Sequence, residues 1–391
     1  MRIGLNLLYL IPGIVGGTET YARGLLRGLR QIKPDHEFFL FVNRESDRLI
    51  ADDDPDFSKV VCPVYAVNRK NRYHFEQIRL RRYVEQYKID LLHSLAYTSP
   101  IFLSGPSIVS IPDLNFKAFG NSMPLSRRLM LRLIVRQAVI RSNKVITISN
   151  FSREEILGQY PVPAEKVVVT HLAADNNEVM ETKSDDEPGD QNLPALTLPY
   201  AMAFSSSTAN KNLSGLIRAF LEAKKKHHIL QKLVLIGHQY PVENDIQGSY
   251  GYKDIIWTGY LERRNVLEIL KRADFMIYPS FYEGFGLPVL EAMTVGVPVI
   301  CSHAASIPEV AGDAGIYFDP FSIKDMATCI ARVSKNQLLR QELREKGFKN
   351  LDRFSWRKTA TQTVAVYDEA LQNNSIRHSV EGRNPVLLKT L

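Results

Sequence analysis

FYEGFGLPVLEAMTVGVPVI, Phe281 to Ile300, is the stretch on which the reading of this chain turns. Two glutamates, Glu283 and Glu291, stand on either side of seven residues that include two glycines and a proline. The preceding run, FMIYPS (275–280), has the apolar, aromatic character of a buried strand. Pro288 in GLPVLEAMTVG suits the first turn of a helix. Glu283 is therefore expected in a strand-to-helix loop, and Glu291 about one turn into the helix.

Open α/β sheets bind ligands at the carboxyl ends of their parallel strands. Gly284 and Gly286 let backbone amides come close to a ligand. The unpaired amides of the helix start, from Gly286 to Val289, suit a diphosphate. A carboxylate cannot bind that anion, but it accepts hydrogen bonds from hydroxyls. The pattern fits a nucleoside-diphosphate sugar, with Glu283 on the sugar and Glu291 on the ribose. Spacing alone fits a plain strand–loop–helix with two solvated glutamates equally well.

Outward from this stretch, alternating strands and helices argue for parallel sheets. Strands are expected at 2–10, 38–42, 89–94, 107–111, 144–149 and 166–172, then at 200–205, 232–237, 254–259, 275–280, 297–302 and 314–320. The polar, acidic, proline-bearing run 176–199 between the two sets reads as a linker. The expected organisation is a first Rossmann-like domain at 1–175, the linker, a second at 200–353, an amphipathic helix at 354–372 and a tail at 373–391. A length of 391 residues agrees with two domains.

Composition narrows the class further. The chain is 45% hydrophobic and 23% charged, with a net charge of +7. That mild basicity suits acidic ligands or an anionic membrane surface, and it lacks the bias of a dedicated nucleic-acid binder. Three widely spaced cysteines, Cys62, Cys301 and Cys329, suggest neither a disulfide framework nor a zinc site, and a reducing cytoplasm is expected. The start of the chain lacks a signal-peptide pattern, and the uncharged run Ile3–Thr18 is broken by Asn6, Pro12 and glycines, so no spanning helix is expected.

Glu283, seven residues and Glu291, set in EGFGLPVLEAM and followed by GVPVICSHAASIPEVAGDAG, resemble the retaining glycosyltransferases of family 4. NLLYLIPGIVGGTETYARGLL resembles the family's N-terminal glycine loop and first helix, NKNLSGLIRAF its lysine-bearing segment, and FSWRKTATQTVAVYDEAL its closing helix. The likeness runs from residue 2 to about 372 and is most specific in the C-terminal half. It implies the GT-B fold: two Rossmann-like domains facing across a cleft, with the C-terminal helix returning to the N-terminal domain. It further implies metal-independent transfer with retention, completed by closure of the domains, and no cofactor. Glu283 would position the donor sugar. Lys211 and the Gly286–Leu287 amides would hold the departing diphosphate, within a donor segment Gly284, Phe285, Gly286 and Leu287. Glu291 would hold the ribose. Gly16 and Gly17 would approach the diphosphate and the acceptor.

Two departures stand out. The arginine that many members carry before the lysine is absent from Ser205–Asn210, so the Ser205–Thr208 hydroxyls are expected to share the phosphate with Lys211. In SIPDLNF (110–116) Asp113 is kept, but Pro112 stands where many members have histidine. His93, at the end of IDLLHS, is either an acceptor-side contact or a packed histidine with a local hydrogen bond. Arg263 and Arg264 follow a turn that lies near the base in the family, or else begin a solvated helix. The acidic runs 52–54 and 184–187 read as solvated loops, and His227 and His228 as exposed.

Between Arg69 and Arg153 there are fifteen lysines and arginines against four carboxylates. Arg128, Arg132 and Arg136 recur every four residues in SRRLMLRLIVRQAVIR, with leucines, isoleucine and methionine between them. This is either an ordinary charged outer face or a basic amphipathic helix for the inner face of the plasma membrane. The resemblance is nearest to bacterial polysaccharide mannosyltransferases. It implies transfer of a hexose, mannose from GDP-mannose, to a saccharide acceptor that is lipid-linked. A UDP-sugar donor and a non-catalytic nucleotide-sugar-binding subunit are the alternatives. A dehydrogenase is disfavoured because no Gly-x-Gly-x-x-Gly follows a strand.

Overall fold

The computed structural model describes residues 1–49, 52, 54–103, 105–118, 124–174, 196, 199–241 and 244–381. The chain divides into two units, Met1–Leu172 with Trp356–Leu391, and Ala173–Ser355. Most of the expected linker 176–199, with its acidic run 184–187, lies outside the described residues, as do Asp53 and residues 382–391 of the expected tail.

The first unit contains β1 (Arg2–Asn6), β2 (Glu37–Val42), β3 (Phe57–Val61), β4 (Leu91–Ser94), β5 (Ser107–Ser110), β6 (Lys144–Thr147) and β7 (Val167–Val169). Among the described residues they form one seven-stranded sheet in the order β3-β2-β1-β4-β5-β6-β7, and each pairing is parallel. The second unit contains β8 (Tyr200–Phe204), β9 (Lys232–Ile236), β10 (Ile255–Trp257), β11 (Phe275–Tyr278), β12 (Val299–Ser302) and β13 (Gly315–Phe318). Their order is β10-β9-β8-β11-β12-β13, again parallel. In both sheets the order reverses beside the first strand, between β1 and β4 and between β8 and β11. That reversal opens a crevice beyond the carboxyl ends of those strands.

The strand at 2–10 is shorter than expected: β1 stops at Asn6. Leu7, Leu8 and Leu10 are fully buried, but Leu10 N–H donates to Leu7 O at 3.0 Å in a turn. The apolar run continued because the loop is buried, not because the strand is long. β3 was not anticipated, since Ser58 and Lys59 break its apolar run; it is the outer strand of its sheet.

The C-terminal helix, Trp356–Glu381, packs in the first unit and continues past the expected end at 372. Its partner is the first helix, Gly17–Ile32. Gly24 and Gly28 lie one turn apart and clear a path for Trp356. A Cβ at Gly24 would lie 2.1 Å from the indole, and one at Gly28 would lie 2.2 Å from the Trp356 carbonyl oxygen. Polar contacts fix the register: Lys144 Nζ to Glu369 Oε1 at 2.5 Å, His36 Nε2 to Asp368 Oδ1 at 3.0 Å, and Thr359 Oγ1 donating to His171 O at 2.6 Å.

Gly24→Ala is accordingly expected to destabilise the protein. The added methyl overlaps a buried indole, and overpacking of this kind costs about 1–3 kcal/mol, more than the gain in helix propensity of about 1 kcal/mol. Urea unfolding measures it: a lowered midpoint at constant slope is expected, and an unchanged or raised midpoint would contradict this packing.

Candidate active site

The Pro279–Gly286 loop follows β11 at the reversal point of the second sheet. It has no regular structure, and side chains from two neighbouring segments hold it. On one side, Asn210 Nδ2 donates to Tyr282 O at 3.2 Å, and Phe281 N–H donates to Asn210 O at 2.7 Å. Asn212 Nδ2 donates to Pro279 O at 3.2 Å and to Pro320 O at 2.9 Å. Asn212 takes a left-handed conformation, φ 53°, that asparagine tolerates better than most residues. On the other side, Ser306 Oγ donates to Glu283 O and to Phe285 O, each at 2.9 Å. Ser302 Oγ donates to Ser280 O at 2.5 Å.

These contacts aim the Glu283 side chain at Lys211, with Nζ 2.6 Å from Oε1. The Lys211 ammonium also lies 5.7 Å from the centre of the Tyr278 ring. Burial, reinforced by the Glu283 charge, pushes the Tyr278 hydroxyl well up, so it stays a neutral hydrogen-bonding group. Gly286, at φ 109°, turns the chain into the helix Leu287–Thr294, with Pro288 in its first turn. Pro288 has no N–H, and Val289 N–H donates to Gly286 O at 2.9 Å. The amides at the very start of the helix, those of Gly286 and Leu287, are therefore the pair left for an anion; the expected range to Val289 is one amide too long. Gly284 and Phe285 are buried, and the Phe285 ring packs edge-on against Phe354 at 5.8 Å. Phe285 thus anchors the loop.

Glu291 is mostly buried within this short helix, and Arg263 Nη2 reaches its Oε1 at 2.7 Å. Arg263 therefore joins the site through its side chain, while the neighbouring helix Arg263–Lys271 begins there. The hydroxyls after β8 are locally engaged: Ser205 Oγ donates to His238 O at 2.7 Å, and Ser206 Oγ lies 2.8 Å from Thr208 Oγ1.

In the first unit, Gly16 and Gly17 follow β1, and Gly17 opens the first helix. Gly16 takes φ 57°, and neither glycine has an atom within 4 Å of where a Cβ would stand. Asp113 follows β5 and accepts from Tyr97 OH at 2.9 Å and from Asn115 N–H at 3.0 Å. Asp113 and the flanks of the glycine loop, Val15 and Thr18, line one cavity. His93 does not. It is fully buried in the middle of the sheet, with Nδ1 2.8 Å from Tyr367 OH and Nε2 2.8 Å from Ser110 Oγ. Burial pulls its pKa down to about 3. His93 is thus the packed histidine of the two alternatives, and its polar contacts tie the C-terminal helix to the sheet.

Other sequence expectations resolve into ordinary structure. Asp54 pairs with Arg30, and Asp52 with Lys59. His228 is exposed, whereas His227 is half-buried. Among the described residues no three His, Cys, Asp or Glu side chains cluster as metal ligands. No described helix is long and apolar enough to cross a membrane.

Residues 15–178 match the family model described as Glycosyltransferase Family 4, and residues 190–350 match that described as Glycosyl transferases group 1. Both halves of the chain thus match glycosyltransferase models, and the chain is a glycosyltransferase. It is 29% identical over 266 residues to O-antigen chain mannosyltransferase B of Escherichia coli, covering 67% of this chain and 70% of that protein. It is 28% identical over 255 residues to the MMP alpha-(1->4)-mannosyltransferase of Mycolicibacterium hassiacum, covering 63% and 59% of the two chains. Among solved structures, sucrose-phosphate synthase from Thermosynechococcus elongatus superposes with a TM-score of 0.69 at 17% identity, over 95% of this chain and all of that one. That likeness establishes the fold of this glycosyltransferase as GT-B.

Sequence reasoning missed Tyr278, Asn210, Asn212 and Ser306 as supports of the glycosyltransferase site. Asn210 and Asn212 flank the singled-out Lys211, and three polar residues in a row at a strand-to-helix junction were the available signal.

Proposed function

We propose that this glycosyltransferase is a retaining, metal-independent hexosyltransferase that uses a nucleoside-diphosphate sugar, GDP-mannose by preference. The Lys211–Glu283 pair at the start of the helix Leu287–Thr294 carries the proposal. A cation, two helix-start amides and a hydroxyl-accepting carboxylate stand together beyond β8 and β11. The donor diphosphate takes the Gly286 and Leu287 amides and the Lys211 ammonium. Glu283, released from full pairing with Lys211, accepts hydroxyls of the sugar. Glu291, oriented by Arg263, accepts the ribose hydroxyls.

The chemistry follows from these positions. The bond between the anomeric carbon and the diphosphate oxygen breaks, and the electron pair leaves with the diphosphate. Lys211 and the helix-start amides stabilise that growing negative charge, most strongly in the transition state. The acceptor hydroxyl bonds to the same face of the sugar and passes its proton to the departing phosphate oxygen. Asp113 serves on the acceptor side. The preference for mannose rests on the two bacterial mannosyltransferase relatives.

The acceptor is proposed to be a lipid-linked saccharide in surface polysaccharide synthesis, reached from the inner face of the plasma membrane. The helix Leu125–Arg141 supports this reading, with a different exposed face from the one the sequence pointed to. Arg128 and Arg132 are half-buried, whereas Leu125, Leu129 and Leu133 are 68%, 48% and 64% exposed, one turn apart. An apolar stripe beside the exposed Arg136 and Arg141 suits an anionic bilayer surface better than water.

Lys211→Met and Glu283→Gln are expected to lower kcat by roughly 10²–10³-fold, as loss of one transition-state contact does, while the wild-type product keeps the donor's anomeric configuration by NMR. An inverted product, or kcat within about twofold of wild type, would refute the assignment. Flotation with phosphatidylglycerol vesicles tests the surface: Leu129→Asp with Leu133→Asp is expected to abolish association, and undiminished flotation counts against it.

A further inference from the structure

The cavity that Asp113 lines opens beyond the carboxyl ends of β1 and β4 and has a volume of about 470 Å³. Its charged wall is unbalanced: Arg69, Arg72 and Arg127 face it, against the single carboxylate of Asp113. That carboxylate is already engaged by Tyr97 and Asn115. Among the described residues, none of the three guanidiniums forms an ion pair.

Arg72 is the most constrained of the three. Its guanidinium lies 4.3 Å from the centre of the Tyr73 ring, and its Nε is buried without a hydrogen-bond partner. Glu76 lies behind it on a π-helical turn, Phe75–Arg79, a rare geometry frequent at functional sites. The Glu76 carboxylate is buried and accepts from Asn6 Nδ2 at 2.7 Å and from Thr98 Oγ1 at 2.8 Å. Burial pushes its pKa up, and the Arg72 charge opposes that. Glu76 thus holds the hydroxyl of Thr98, a lining residue of the cavity, and feels the charge of Arg72. Tyr73, Tyr97 and Phe116 supply aromatic walls.

We propose that this cavity binds the acceptor by a phosphate group attached to its sugar. The phosphate oxygens sit on Arg69, Arg72 and Arg127, and the sugar ring lies against the tyrosines. A carboxylate needs one guanidinium fork, whereas a phosphate, with more oxygens and up to two charges, accommodates several. The inference rests on the reading of this protein as a transferase to a saccharide acceptor, and it names that acceptor's anionic class.

Calorimetry on the full chain tests it, with GDP and UDP in excess so that the donor site is occupied. The probes are mannose, mannose 1-phosphate and farnesyl-diphospho-mannose. Both phosphorylated probes are expected to bind at least about tenfold more tightly than mannose, and Arg127→Gln to weaken them by about tenfold, with a further loss in Arg69→Gln/Arg127→Gln. These two positions keep the test independent of Arg72, whose charge also acts on the buried Glu76 carboxylate. Tighter binding of the farnesyl probe than of mannose 1-phosphate identifies a lipid-linked phosphate, and equal binding a soluble one. Equal affinity for mannose and the phosphorylated probes, no binding of the latter, or affinity indifferent to both substitutions overturns the inference. GDP or UDP binding, measured alone, reports on the donor reading, so the two fail separately.

Discussion

A buried loop must satisfy its own backbone, and the candidate active site depends on how one loop does so. Pro279–Gly286 leaves a sheet without entering regular structure, so its carbonyl groups find no partners within it. Two asparagines, 210 and 212, and two serines, 302 and 306, supply donors. Each is buried, so each bond forms where water does not compete. The result is a loop fixed along most of its length, and the Glu283 carboxylate is held against Lys211 as a consequence. The ion pair itself is partly exposed, with side-chain accessibilities of 32% and 13%, and such pairs add little to stability. Its significance lies in position: the two charges stand at a helix start, where a ligand with both phosphates and hydroxyls can exchange with each of them.

The same division of labour appears in the first unit. Glu76, Asn6 and Thr98 form a buried polar cluster that supports a cavity wall without facing solvent. The glycines at 24 and 28 serve a different end, letting the C-terminal helix lie close to the first helix. His93 belongs to that structural set, since both of its ring nitrogens are committed to partners inside the unit.

Much of this was legible in the sequence because parallel sheets write themselves plainly: their strands are buried on both faces and appear as short apolar runs. The runs at 38–42 and 275–280 fell on β2 and β11. Glu283, Lys211, Gly286 and Glu291 were singled out by the family resemblance, since spacing alone fits a plain strand–loop–helix equally well, and the structure brings Lys211 and Glu283 together beside the helix start. What stayed hidden depended on partners far along the chain. Ser306 lies 23 residues from Glu283, and no local pattern links a serine to a carbonyl at that distance. The basic helix misled for a related reason. Periodicity gave Arg128, Arg132 and Arg136 a common face, but it did not say which face the sheet would cover.

The central claim is that one helix start and its two flanking glutamates hold a nucleotide sugar without a metal. The most direct measurement is calorimetric titration of GDP-mannose into wild-type protein and Glu291→Ala, in chelator. Removing a partly buried carboxylate that accepts ribose hydroxyls should weaken binding by about tenfold or more, with wild type binding unaided by divalent ions. Failure of folded wild-type protein to bind, or equal affinity in the variant, would contradict the account.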